Sequence, residues 1–207
     1  MKCSLPTLLA GALIATAAVA AAPRTTDFSM PIDGGPELTV GIDFISIVDG
    51  RWNILAHKFE KTDDGFEGTL TPSEGGPVKF TGTFKKSGEK WECSLKWTAD
   101  AETPNFFLLG NIFFPTDDVR GATVTSGSSV ISFDKLIEKV NALTTISNAT
   151  EFSVGPVNGT NLGFTAAEQS DVGVVIGTEN VCVRLFLTPV KGTLPASGSV
   201  SWTVGKQ

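Results

Sequence analysis

The sequence of 207 residues contains no tyrosine, one histidine, three cysteines and two methionines. A lone imidazole leaves no material for a Ser-His-Asp or Cys-His catalytic arrangement beyond that one residue. Three scattered cysteines without paired spacing exclude a thiolate zinc site. Positive charge is also scarce, with 16 Lys and Arg against 22 Asp and Glu and a formal net charge of −6. Phosphate backbones and anionic lipid surfaces attract the opposite sign, so nucleic acid is not an expected partner. No glycine-rich phosphate loop interrupts the chain. What is abundant is 14 Phe, 22 Gly and a hydrophobic share of 41%, the composition of a folded globular protein.

The first residues form a unit of their own. Lys2 supplies a positive charge, Leu5 to Ala22 is apolar and Ala-rich, and Ala18-Val19-Ala20 places small residues where a signal peptidase reads them. Pro23 would obstruct a cut after Ala22, so residues 1–20 are read as a cleaved, bacterial-type signal peptide. Cys3 precedes the apolar stretch and leaves with it. The processed chain keeps 15 basic and 22 acidic residues, and no other segment is apolar enough to span a membrane. The predicted location is secreted, periplasmic or at the cell surface, without membrane insertion after signal removal. Residues 21–36, rich in Pro, Gly and Thr, read as a flexible leader, and residues 37–207 as the folded domain.

From Glu37 onward the hydrophobic period is two. Leu38 to Val48 and Trp52 to Glu60 read as strands joined by Asp49-Gly50, a hairpin signal because both turn positions favour positive φ. Phe66 to Thr71 and Val78 to Lys85 follow. In Lys90 to Thr98, Trp91, Cys93, Leu95 and Trp97 share one face while Lys90, Glu92, Ser94 and Lys96 share the other. Asn105 to Phe114 is almost continuously apolar and reads as a strand buried on both faces or packed at an interface. A helix is expected from Ser132 to about Ala142. Further strands are expected at Glu151–Val154, Leu162–Thr165, Val172–Ile176, Val181–Thr188 and Ser199–Val204. Strands at this spacing without helical crossovers predict a single antiparallel all-β sandwich of about eleven or twelve strands with one short helix.

Few residues offer chemistry. His57 lies between apolar neighbours on a predicted strand, with only Lys58 and Glu60 nearby, and reads as structural. The pairs Asp63-Asp64 and Asp117-Asp118 fall in turn sequences; Asp117 and Asp118 are the candidate loop oxygens for calcium, the one cofactor considered. Asn148-Ala149-Thr150 and Asn158-Gly159-Thr160 match the glycosylation acceptor pattern. Cys93 and Cys182 are either one disulfide, as an exported two-cysteine chain allows, or two buried thiols. Indole faces stack on sugar rings. Trp91 and Trp97 belong to a core face, which leaves Trp52 and Trp202 as the candidate ligand-binding aromatics.

The run from Phe84 to Phe133 combines a Trp-rich alternating strand, an apolar strand reaching Phe113-Phe114-Pro115, a Gly121 turn and Val130-Ile131-Ser132-Phe133. The end of the chain adds Ala149 to Phe152, Leu162-Gly163-Phe164, Val181 to Pro189 and a last strand at Trp202. This rhythm resembles the β-sandwich accessory modules of bacterial polysaccharide-degrading enzymes. The resemblance implies an accessory sandwich without the catalytic barrel, and it carries over no catalytic residue. The expectation is a non-catalytic protein binding a glycan or a protein partner at the cell surface. Two rivals stand beside it: a small hydrolase or lyase using carboxylates alone, and a structural or assembly protein whose Phe106–Phe114 strand faces a partner subunit.

Overall fold

The computed structural model describes residues 26–55, 58–137, 143–176, 180–188 and 192–207. The first strands are β1 (Asp27–Pro31), β2 (Glu37–Val48), β3 (Arg51–Ile54), β4 (Lys58–Thr62) and β5 (Gly65–Leu70). They are followed by β6 (Val78–Ser87), β7 (Lys90–Ala99), β8 (Thr103–Pro104) and β9 (Phe106–Pro115). A single 3-10 turn (Thr116–Val119) leads to β10 (Thr123–Ser126), β11 (Ser129–Ser132) and the short helix α1 (Phe133–Ile137). The chain ends with β12 (Leu143–Val157), β13 (Thr160–Ile176), β14 (Asn180–Phe186), β15 (Thr193–Leu194) and β16 (Ser197–Lys206). Among the described residues no helix is long and apolar enough to cross a membrane.

The architecture is all-β and antiparallel. Fourteen strands form one sheet with the path β1-β2-β9-β14-β13-β16-β7-β6-β5-β4, while β12, β10, β11 and β3 branch from it and β15 pairs β8 separately. Instead of two detached layers, the sheet curls into a half-barrel whose walls face each other. The hinge is β13: residues 162–166 pair with β16, and residues 171–176 pair with β14 on the same edge. One strand thus belongs to both walls, and β12 runs along its other edge.

Alternation places the apolar face of each wall inward. Phe44 of β2 meets Phe80 of β6 at 4.7 Å and Phe59 of β4 at 5.2 Å, while Phe28 of β1 stacks on Phe84 of β6 at 4.2 Å. These contacts join the outer strands of the two walls and close the half-barrel. Each fully buried Phe contributes about 2–3 kcal/mol of transfer free energy. Close backbone approach serves the same packing. A Cβ on Gly82 would lie 2.3 Å from Phe66 Cε1, so the Phe66 ring occupies the space that only glycine leaves.

The Asp49-Gly50 hairpin forms as expected, with φ of 51° and 72°. Several boundaries differ. Order begins before Glu37, because β1 takes residues 27–31 of the expected leader and pairs with β2. The expected strand Trp52–Glu60 is two strands, β3 paired with β2 and β4 paired with β5. The short strands expected around Phe152, Phe164 and Val172 merge into the long β12–β13 hairpin, turned by Asn158-Gly159 with φ of 47° and 78°. That dipeptide is therefore a hairpin turn. The helix is a little over one turn, and its expected continuation over 138–142 lies outside the described residues, as do the signal segment 1–20 and His57.

Candidate functional site

Of the residues singled out from sequence, Cys93 and Trp202 lie opposite each other on β7 and β16 and border one cleft, while Trp52, Cys182, Asp117 and Asp118 lie on other elements. Trp52 is half-buried on β3, its ring parallel to Phe107 at 5.5 Å and 15°. Trp202 is 2% exposed and meets Phe84 edge-on in the interior, so it offers no free face to a sugar. The expectation for Trp202 fails because it follows Val200 and Val204 onto the inward side of β16. Its Nε1 has no hydrogen-bond partner among the described residues.

Cys93 and Cys182 are both buried and both free. They sit on β7 and β14: Cys182 pairs with Val175 of β13, whereas Cys93 pairs with Trp202, itself opposite Ala166, so the two are offset by nine positions along β13, roughly 30 Å of strand. A bridge needs Cα atoms within about 7 Å, so the disulfide alternative is excluded and the two-thiol alternative holds. Burial pushes the Cys93 thiol far above its ordinary range. Asp117 and Asp118 lie in the 3-10 turn after β9, where Asp117 Oδ1 accepts from Arg120 Nε at 3.1 Å. Among the described residues no three Asp, Glu, His or Cys side chains gather to hold a metal ion.

The apolar strand expected at a partner interface is β9, hydrogen-bonded to β2 on one side and β14 on the other. Its Phe106, Leu108, Ile112 and Phe114 join the core. Its opposite side carries a polar chain that sequence reading missed. Asn111, fully buried, donates from Nδ2 to Asp43 Oδ2 at 2.8 Å and accepts from Arg184 Nε at 2.8 Å. Cys182 Sγ donates to the same Asn111 Oδ1 at 3.4 Å.

A run of surface clefts follows the seam between β13 and β16. A cleft of 380 Å³ is lined by Thr165, Ala166, Ala167, Ser201 and Thr203, with Lys85, Glu92 and Ser94 on the β6–β7 side. A second, of 330 Å³, shares Thr165 and continues over Gly163, Glu151, Ser153, Lys90 and Gln207. A third, of 120 Å³, shares Ala166, Ala167 and Ser201 and continues over Gln169, Ser170 and Ser199. The three adjoin in order along both strands. Their physical cause is side-chain size: outward positions 165 and 167 of β13 and 199, 201 and 203 of β16 are Thr, Ala or Ser, while Gln207 covers Gly163 and Lys90 covers Gly205. Longer residues on β7 and β12 rise beside them.

The row Glu151–Thr165–Thr203–Glu92 crosses this groove in register. Its two carboxylates stand three strand spacings apart, roughly 14 Å, beyond the separation of about 5–9.5 Å that glycoside hydrolysis uses. In sequence these strands look like ordinary solvated faces. The only signal was the absence of any long side chain at the outward positions of two strands that prove to be neighbours.

No family model matches the chain, and no curated protein matches it. Among solved structures, the chain is similar to the Slr1438 protein from Synechocystis sp. PCC 6803, with a TM-score of 0.55 and 9% sequence identity. The likeness covers 90% of this chain and 96% of that one. At that identity it is a likeness of fold.

Proposed function

We propose that this is an exported, non-catalytic β-sandwich protein that binds a glycan, and that the β13–β16 groove is its binding surface. The observation that carries the reading is the continuity of three clefts along one seam. Hydroxyl side chains both donate and accept hydrogen bonds, the combination that matches a ligand carrying hydroxyls on every ring. Thr165, Ser201 and Thr203 line the groove, with Ser94 and Thr83 beside them. The wide spacing of Glu92 and Glu151 favours binding over hydrolysis. The resemblance to accessory modules of polysaccharide-degrading enzymes, and the export signal read at residues 1–20, support a ligand met outside the cytoplasm.

A glycan array with the purified protein, run with calcium and with chelator, tests this reading. Thr165→Arg fills the groove, and Trp52→Ala removes the aromatic outside it. Binding lost in Thr165→Arg, kept in Trp52→Ala and indifferent to chelator supports the groove. Binding lost only in Trp52→Ala moves the site to the β2–β3 hairpin, and no binding to any glycan overturns the reading.

A further inference from the structure

We propose that the β2–β3 hairpin is a self-association surface, at which β3 pairs antiparallel with β3 of a second copy of this chain and continues the sheet across a two-fold axis. Among the described residues β3 pairs with β2 and with no other strand, so its far edge is open there. Leu55 N donates to Phe44 O at 2.8 Å, and by alternation the backbone groups of Asn53 and Arg51 also turn toward β2. The N–H and C=O groups of Trp52 and Ile54 therefore point to the open edge. Natural edges are guarded by charge, proline or bulges. The two ends of the sheet path are so guarded, β1 by Pro31 and β4 by Glu60 and Lys61. After Arg51 at the turn, β3 reads Trp52-Asn53-Ile54, and Ile54 is 55% exposed. Val48, on the same hairpin, is exposed as well.

Register identifies the occupant. An isologous antiparallel pair centred on Asn53 sets Trp52 opposite Ile54 of the second copy, Ile54 opposite Trp52 of the second copy, and Asn53 opposite itself. In this alignment Trp52 and Ile54 form the hydrogen-bonded pairs, four backbone bonds in all, and Asn53 forms the non-hydrogen-bonded pair between them. The side chains fit the same alignment. Ile54 is in register with Ile45, and Ile45 with Phe107, while the Trp52 ring lies parallel to Phe107 at 5.5 Å. Pairing adds Trp52 of the second copy to the row Phe107–Ile45–Ile54, an aromatic beside a β-branched residue on each side of the axis, a favourable cross-strand pair. One strand thus supplies both halves of the contact. Three cross-strand pairs bury well under the roughly 800 Å² per partner of a standard interface, so association is expected at a Kd of about 10–500 μM. No residue of the hairpin lines the three clefts, so this inference and the glycan reading stand or fall separately.

Sedimentation equilibrium of the purified protein from about 10 μM to about 1 mM tests the proposal. The expected result is a reversible monomer–dimer equilibrium in that range. It should be abolished in Ile54→Lys, which puts a charge on the open edge and leaves thermal unfolding unchanged, and kept in Val130→Lys, which alters the exposed side chain of β11. Asn53→Cys should give a disulfide-linked dimer under mild oxidation, because a non-hydrogen-bonded pair holds its two Cα atoms about 4.5 Å apart. Thr81→Cys, exposed on β6, should give none. A monomer up to about 1 mM overturns the proposal, as does Asn53→Cys cross-linking no more readily than Thr81→Cys. A dimer that Ile54→Lys leaves intact, or that Val130→Lys dissolves, overturns it by moving the contact to another edge.

Discussion

Asn111 donates its side-chain amide to Asp43 at 2.8 Å, and both residues are buried on the side of β2 and β9 that faces away from the main core. The same Asn111 accepts from Arg184, so one neutral side chain mediates between a buried carboxylate and a guanidinium. Removing it takes a hydrogen bond from two charged groups at once. Asn111→Leu is expected to cost about 3–5 kcal/mol, the range for breaking a buried charged network. Urea unfolding measures it; a change below 1 kcal/mol would show that the trio contributes little to stability.

Gly82→Ala is expected to destabilise by about 1–3 kcal/mol, because the added carbon meets the Phe66 ring at 2.3 Å and that ring is fully buried. Phe66→Leu in the same background relieves the overlap. Thermal unfolding of the single and double variants checks the coupling: the two effects should fail to add, with part of the Gly82→Ala loss recovered.

The Cys93 thiol gives stability a specific pH dependence. Its folded value is raised by burial, so over alkaline pH the folded state holds a proton that the unfolded chain has released. The contribution is complete below the ordinary thiol value of about 8.5 and declines above it, by up to ~1.4 kcal/mol per pH unit. Chemical denaturation between neutral pH and pH of about 10 should show a steeper fall for the native sequence than for Cys93→Ala. Equal slopes would contradict the assignment.

Both remaining cysteines are expected to be thiols in the purified protein. Alkylation should be negligible in the folded state and add two labels to residues 93 and 182 on unfolding without reductant. Intact mass two hydrogens lighter, with no labelling, would show that the strands carrying Cys93 and Cys182 approach far more closely than their places in the sheet allow.

The expected signal peptide predicts a processed N-terminus at Ala21 when the chain is expressed in an exporting bacterium. N-terminal sequencing reads it directly. Retention of Met1 in the mature product would contradict export by this route.

The legible part of the fold was the part governed by strand alternation. Trp91, Cys93, Leu95 and Trp97 mark β7, and Asp49-Gly50 turns β2 into β3 because two positive φ values are needed there. The β12–β13 hairpin was missed although Asn158-Gly159 is the same kind of turn. Its strands are sparse in large apolar residues between positions 143 and 150, so periodicity gave no strand there. Asn111 and Asp43 were invisible for a related reason: they are 68 positions apart, and only sheet register brings them together. The groove shares this origin. Small outward residues on β13 and β16 become a channel only once those strands are neighbours. Trp202 misled because an isolated indole near a chain end looks like a platform, whereas alternation with Val200 and Val204 already assigns it inward.

The most direct test of the central claim is an amide-resolved NMR titration of the protein with maltohexaose, cellohexaose and laminarihexaose. The account predicts that the hexasaccharide that binds shifts amides within 163–170 and 199–207, with the Trp52 hairpin unmoved. Shifts confined to residues 45–54, or no shift with any of the three, would contradict it.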